Sequence, residues 1–307
     1  MRVPGVGGQA HPPYPASMPP PDPEVRVLID VPIVFDVIGG TTVHSPMVRA
    51  TVGGVATRLI LDTGSTDHVL TKDLIDAAGA PAEPAEPGTD HAGASVPSWW
   101  VGKLDVRIGD ETLGLREVVA IEGPAPFAAW GVGGFLSPQH LHPAARVLID
   151  LIGDRLVVAA GPLGSVDAWL IDRCAPALPL VLDRVPGEAV VAVQAAIEPF
   201  APVTTTLNTG GRATEFASAA VPGLGGTNER EGGAGVSGAP VIGSDVGPRD
   251  LRVEGARIPV ANLVVRPHID GPDALVGMDV LRGTALIVGA DRSIPVTWLV
   301  PSARLAL

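Results

Sequence analysis

The sequence holds one cysteine, Cys174, one tyrosine, Tyr14, and only 4% aromatic residues in 307 positions. A lone thiol forms no intramolecular disulfide, so cysteine usage does not report the compartment. Asp172-Arg173-Cys174-Ala175-Pro176 also gives weak grounds for a reactive thiol. Positive charge is scarce: 21 Lys+Arg stand against 33 Asp+Glu, for a net charge of −12. Such a field repels phosphate backbones and anionic lipid, which argues against nucleic acid as a partner. No apolar run reaches 18 residues, and prolines at 4, 12, 13, 15 and 19–21 interrupt any signal-peptide core, so the chain as written is expected to be soluble, without a membrane span and untargeted. A start site chosen downstream of a true signal would look the same. There is no G-x-S-x-G elbow for a serine nucleophile.

Glycine and proline, by contrast, are plentiful. The 38 Gly and 32 Pro make up roughly 23% of the chain, just under the level at which an aperiodic sequence reads as disordered. With 46% hydrophobic residues there is ample material for a core, and this length suits two lobes. Residues 1–24 are expected to form a disordered Pro/Gly-rich tail. Beyond it the texture becomes β-branched and apolar at 25–38, with Pro32 pointing to an edge strand or a bend. The runs 47–52 and 55–61 flank Gly53-Gly54, the turn chemistry of a two-residue hairpin. A short helix is expected over 71–80, a Pro/Glu/Gly loop over 81–94, and strands over 99–109 and 115–121. A further hairpin, 145–159, turns at Gly153-Asp154.

The second half offers the same parts in the same order. A strand at 203–207 runs into Asn208-Thr209-Gly210-Gly211, as 55–61 runs into Asp62-Thr63-Gly64-Ser65. A short helical segment is expected at 215–224, then a Gly-rich loop, paired strands at 250–265 and a hairpin at 283–298. Asp62 stands 72 residues before Gly134, and Asn208 stands 69 before Gly277. The expected organisation is therefore an N-terminal lobe, 25–165, carrying Asp62 and a C-terminal lobe, 166–307, carrying Asn208.

The two xTG turns, each after an apolar strand and each followed by an apolar-Gly segment (Val132 to Phe135, Val276 to Val280), resemble those of the pepsin-like and retropepsin-like aspartic peptidases. The resemblance covers nearly all of residues 25–300. It implies an all-β, bilobal acid-protease fold with two pseudo-twofold-related, barrel-like lobes and a few short helices. It also implies peptide-bond hydrolysis by a water held between Asp62 and position 208. Thr63 and Thr209 would cross-link the turns, Gly64 and Gly210 would let them approach, and Ser65 would steady the first carboxylate. The implied partner is an extended peptide or protein substrate, handled by a monomer without cofactor or metal.

Three departures bear on function. Position 208 is Asn where the family has Asp; an amide donates a hydrogen bond as a protonated carboxyl does but moves no proton, so activity is expected to be weakened or abolished. The alternative is a pseudo-peptidase that binds peptides or a partner protein without cutting. Gly211 stands where Ser or Thr is usual, and no tyrosine is available for a pepsin-type flap. The segment Thr89 to Ala94 lies where one flap belongs and Gly232 to Gly238 where a second would, an arrangement closer to the retropepsin plan. His91, Gly93, Trp99, Trp100 and Gly235 are thus the flap and cleft candidates, and Trp130 belongs to cleft or core.

Other signals are set aside. The G-x-G-x-x-G spelling at 233–238 lacks the strand–helix setting that a dinucleotide needs, and Ala239-Pro240 follows it. His140 and His142 have metal-like spacing but no third ligand nearby. His68 is expected to be an exposed loop or edge residue. Asp67, Asp150 and Asp279 are assigned to solvated or turn-capping roles.

Overall fold

A computed structural model describes residues 24–305, apart from 36, 39, 40, 43, 226–228 and 270. The expected tail lies outside the described residues except for Glu24. Gly53 and Gly54 both take positive φ, 53° and 85°, the type I′ geometry whose twist suits a two-residue hairpin. That hairpin joins Met47–Val52 to Val55–Leu61 and starts a seven-stranded sheet. Its order continues through Val132–Leu136, His68–Thr71, Glu111–Ile121, Ser95–Ile108 and Glu83–Thr89. A second seven-stranded sheet runs Ala192–Ile197, Val203–Leu207, Ala274–Val276, Glu215–Ala217, Ala256–Arg266, Pro240–Val253 and Glu229–Ala234. Strand for strand, the two orders are the same.

Each sheet also makes one additional pairing, Met47–Val52 with Ser95–Ile108 and Ala192–Ile197 with Pro240–Val253, which curls it toward a barrel. In each, the apolar-Gly strand slides in parallel to the strand that leads into the xTG turn and antiparallel to the strand that leaves it. The turn is thereby held open at the strand ends. The backbone shows the equivalence: Asp62 donates its N–H to the Leu136 carbonyl and Asn208 to that of Val276, both at 2.8 Å. This is the all-β, bilobal acid-protease fold.

A third sheet joins the halves. Its six strands are Arg26–Pro32, Arg155–Ala160, Ala145–Asp150, Ala285–Gly289, Val296–Val300 and Leu178–Leu182. The central pair, Ala145–Asp150 with Ala285–Gly289, is buried along its whole length. Alternation explains how one strand serves two faces. Val147, Ile149, Leu286 and Val288 join the large core that spans both lobes, whereas Leu148, Ala285 and Ile287 meet Val166 and Leu170 of the helix Leu163–Arg173. Cys174 closes that second cluster, and burial pushes its thiol pKa well up, which disfavours the thiolate. No helix among the described residues is long and apolar enough to cross a membrane.

Two local expectations need correction. Residues 83–89, expected within a loop, form an edge strand; an edge leaves backbone N–H groups without partners, so Pro84 and Pro87 sit there with one irregularity between Ala85 and Gly88. The expected helix at 215–224 is instead the strand Glu215–Ala217 followed by turns. Pro222 disfavours the helical region for Val221, and Glu215–Ala217 gains parallel ladder bonds with Ala256–Arg266.

Trp298 is fully buried, and its indole N–H donates to Thr284 Oγ1 at 2.9 Å. Trp298→Ala should therefore lower the unfolding free energy by about 3–5 kcal/mol, read as a lower denaturant midpoint with the slope retained.

Candidate functional site

The turn after each leading strand puts its threonine in the interior. Thr63 and Thr209 are both 0% exposed and bond reciprocally across the lobes. The Thr63 N–H donates to Thr209 Oγ1 at 3.1 Å and the Thr209 N–H to Thr63 Oγ1 at 3.0 Å. Each hydroxyl then donates to the strand behind the opposite turn, Thr209 to the Leu61 carbonyl at 2.6 Å and Thr63 to that of Leu207. Four buried polar groups are satisfied only if both lobes are in place.

With the threonines turned inward, the side chains of Asp62 and Asn208 each lie against the glycine of the opposite turn. A Cβ on Gly64 would lie 2.7 Å from Asn208 Cγ, and one on Gly210 would collide with the Asp62 carboxyl. Only glycine permits this approach. The Gly64 N–H donates to Asp62 Oδ1 at 2.8 Å, while Asn208 Oδ1 accepts the N–H groups of Gly210 at 2.9 Å and Gly211 at 3.0 Å. Two N–H donors on Oδ1 assign that atom as the acceptor, which leaves Nδ2 as the side chain's donor. Ser65 and Gly211 both act through their backbone: the Ser65 hydroxyl donates to the Asp67 carbonyl at 2.7 Å instead of to Asp62. Loss of the hydroxyl at Gly211 therefore removes nothing from the amide cradle.

Burial pushes the Asp62 carboxyl above the ordinary range. The amides of Gly64, Gly210 and Ser65, and charge on His91, pull it the other way without prevailing. Behind the second turn, Asp279 accepts from the Thr214 hydroxyl at 2.8 Å and its N–H at 3.1 Å, and it too is raised by burial. Behind the first turn stands His68, which is 1% exposed, contrary to the surface position expected of it. Strand alternation turns it inward, where its Nδ1 accepts the Ser137 N–H at 3.2 Å and its Nε2 lies 3.4 Å from the His140 carbonyl. Ser137 links the pair to the turn, since its hydroxyl lies 3.2 Å from His140 Nδ1 and 3.0 Å from the Ser65 carbonyl.

The flap candidates occupy two hairpin tips of one design. Asp90 and Ala94 close the first, Gly235 and Ala239 the second, each by an N–H to carbonyl bond of 2.9 Å. Gly93 and Gly238 take matching positive φ, 77° and 83°. The tips touch. Asp90 accepts the Ser237 hydroxyl at 2.6 Å and its N–H at 3.0 Å, and it packs on Gly235 so closely that any side chain there would collide with it. Burial alone would raise the Asp90 carboxyl, but the bonds from Ser237, Ala94 and Ala92 outweigh it and hold it low. His91 reaches the C-terminal lobe, with Nε2 at 3.2 Å from Glu215 Oε2 and 2.9 Å from Arg266 Nη1. Trp99 and Trp100 flank the stem of the hairpin: Trp99 packs on the core beneath Lys72, and Trp100 is 46% exposed. Trp130 packs against Phe127.

Asp90, Ser237, Glu215 and Arg266 are absent from the candidates named from sequence. For Glu215 the signal was present, because it follows Asn208 by the same seven residues as Val69 follows Asp62. Asp67 and Asp150 bond locally, Asp67 to the Thr66 hydroxyl and Asp150 to the amides of Ile152 and Gly153. Among the described residues no group of three or more His, Cys, Asp or Glu could hold a metal.

The family model described as aspartyl protease matches residues 48–129, a stretch that includes the Asp62 turn and the first hairpin tip. This part of the chain is similar to that family. No curated protein matches the chain.

Two outcomes follow from this geometry. Burial lowers the His68 pKa to about 4 from 6.5, so the unfolded chain takes up a proton that the folded one refuses. Stability is complete above the unfolded value, falls as pH drops below about 6.5 and levels off below about 4, a loss of roughly 3 kcal/mol. His68→Gln should flatten that part of the stability–pH curve relative to the parent in urea melts. Removing the tip contact with Asp90→Ala or Ser237→Ala should speed amide exchange in residues 88–96 and 235–240 and leave the core strands protected; unchanged tips would contradict the latch.

Proposed function

We propose that this chain binds peptides extended across the groove beneath the two hairpin tips, and that it carries the machinery of an aspartic peptidase with its hydrolysis strongly reduced by Asn208. The observation that supports this most is the reciprocal threonine lock, which brings one carboxylate and one amide together between the two turns, with Asn208 Oδ1 taken up by backbone N–H groups. A peptide would lie with its backbone bonded to cleft and hairpin strands and its side chains alternating between the lobes.

The chemistry open to this pair is half of the two-carboxyl mechanism. Asp62, as carboxylate, takes a proton from water while the oxygen adds to the scissile carbonyl carbon. The resulting oxyanion accepts a hydrogen bond from Asn208 Nδ2, and the protonated Asp62 then delivers its proton to the departing amine as the C–N bond breaks. A second acidic proton for the carbonyl oxygen is missing, so the oxyanion is stabilised by one neutral donor and not quenched.

The Asn208 amide donates a hydrogen bond but moves no proton. That favours a second reading, a peptide-binding protein that does not cut.

Asn208→Asp is the deciding variant. It should raise the cleavage rate of a peptide library by at least about 100-fold, and it should change the pH profile. With one carboxylate, any parent activity rises with pH through the elevated Asp62 pKa; with two sharing a proton, the profile becomes a bell in the acid range. Equal rates and profiles would refute the role given to Asn208. Binding without products from the parent would select the second reading.

A further inference from the structure

The pseudo-twofold relation between the lobes fails chemically at one place under the flaps. In the first lobe Val69 pairs with Phe135 and Val119, and two residues along Thr71 pairs with Ile121. In the second, Glu215 pairs with Leu275 and Val264, and Ala217 pairs with Arg266. Register thus makes Glu215 the counterpart of Val69, and Arg266 that of Ile121. Strand alternation sends Phe216 and Val265 into the core and the two charged residues to the opposite face, where the flap's His91 meets them.

Glu215 and Arg266 are both over nine-tenths buried and joined by a 3.1 Å ion pair. His91 completes the cluster with its ring beside Glu215 Oε2 and Arg266 Nη1 and its carbonyl accepting from Arg266 Nη2 at 3.0 Å. Arg266 Nε, also buried, has no hydrogen-bond partner. A charged pair in this position is not accounted for by stability, since the apolar pair of the first lobe fills the equivalent place without desolvating ions. It is, however, a matched acceptor and donor, occupied here by a side chain from the tip of the first hairpin.

Resting on the peptide-binding reading, we infer that Glu215 and Arg266 form a polar side-chain subsite on the C-terminal lobe. It selects a residue that donates and accepts at once, glutamine or asparagine, opposite an apolar residue over Val69 and Ile121. The ligand's amide NH2 would donate to Glu215 and its carbonyl would accept from Arg266, taking over the contacts that His91 makes when the tips are shut. An aliphatic side chain would leave both buried groups without a substitute partner, and a carboxylate or an ammonium would satisfy one and oppose the other.

The test uses full-length protein and matched extended peptides that differ at one position: Gln, Asn, Leu, Glu or Lys. Affinity is measured by calorimetry, and the Asn208→Asp form, with products read by mass spectrometry, places the varied residue relative to the cut. Gln and Asn should bind at least ~10-fold tighter than Leu. The double variant Glu215→Val/Arg266→Ile, which installs the first lobe's own pair, should reverse that order. Gaining affinity for Leu is a readout that a misfolded protein does not give. Peptides bound or cut with no preference at that position, or a preference the double variant leaves intact, would overturn the subsite and leave the peptide-binding reading standing. No binding and no cleavage in any form would overturn both.

Discussion

The reciprocal bonds between Thr63 and Thr209 are the constraint on which the site depends. Each backbone N–H is satisfied by the other lobe's hydroxyl, and each hydroxyl is spent on a carbonyl behind the opposite turn. Neither lobe can withdraw without orphaning buried polar groups, and an orphaned buried donor is far costlier than the net worth of the bond that satisfied it. The same bonds turn both threonines inward, so the preceding residues, Asp62 and Asn208, face the groove. The glycines that follow must then lie against the opposing side chains, where a Cβ would not fit.

What lies beneath makes that lock rigid. Two strands buried on both faces run antiparallel across the junction, and a single hydrophobic core continues from the first lobe into the second. The tips above are joined by hydrogen bonds to one carboxylate and by one histidine on an ion pair. Floor and cover therefore differ in kind. Area-proportional burial resists opening throughout the molecule, whereas a few polar contacts can be exchanged for those of a ligand.

The doubled arrangement was legible because it is written in punctuation. Gly53-Gly54, the two xTG turns and the apolar-Gly segments each have a local backbone requirement that survives without tertiary context. Where context decides, reading the sequence fell short. The prolines at 84 and 87 spell a loop until the strand they occupy turns out to be an edge, and 215–224 spells a helix until a parallel neighbour claims its first residues. His68 could not be placed from its neighbours, because its burial follows from strand alternation against Ser137 and His140, some 70 residues away. The meeting of Asp90 with Ser237 is likewise invisible in one dimension, though both lie in segments whose spacing marks them as tips.

The near-symmetry of the scaffold sharpens what is asymmetric about its chemistry. The N–H groups of Asp62 and Asn208 bond the carbonyls of Leu136 and Val276 at the same length, and the tip turns agree in closure and φ, so at the turns and tips the backbone is nearly symmetric. Beside the turns, side chains break that symmetry: a carboxylate stands against an amide at the centre, and an apolar pair against an ion pair next to it. A symmetric groove would bind a peptide in either direction. On the proposed peptide-binding reading these differences would give it a direction, with Asp62 and the apolar wall on one side, Asn208 and the Glu215–Arg266 pair on the other. An amide at position 208 also carries no charge at any pH, so the groove keeps its single central acid without the like-charge repulsion that forces two carboxylates to share a proton. An amide that moves no proton and an amide that donates a pH-independent hydrogen bond are one and the same group, so on the proposed reading weak hydrolysis and steady peptide binding would have a single cause.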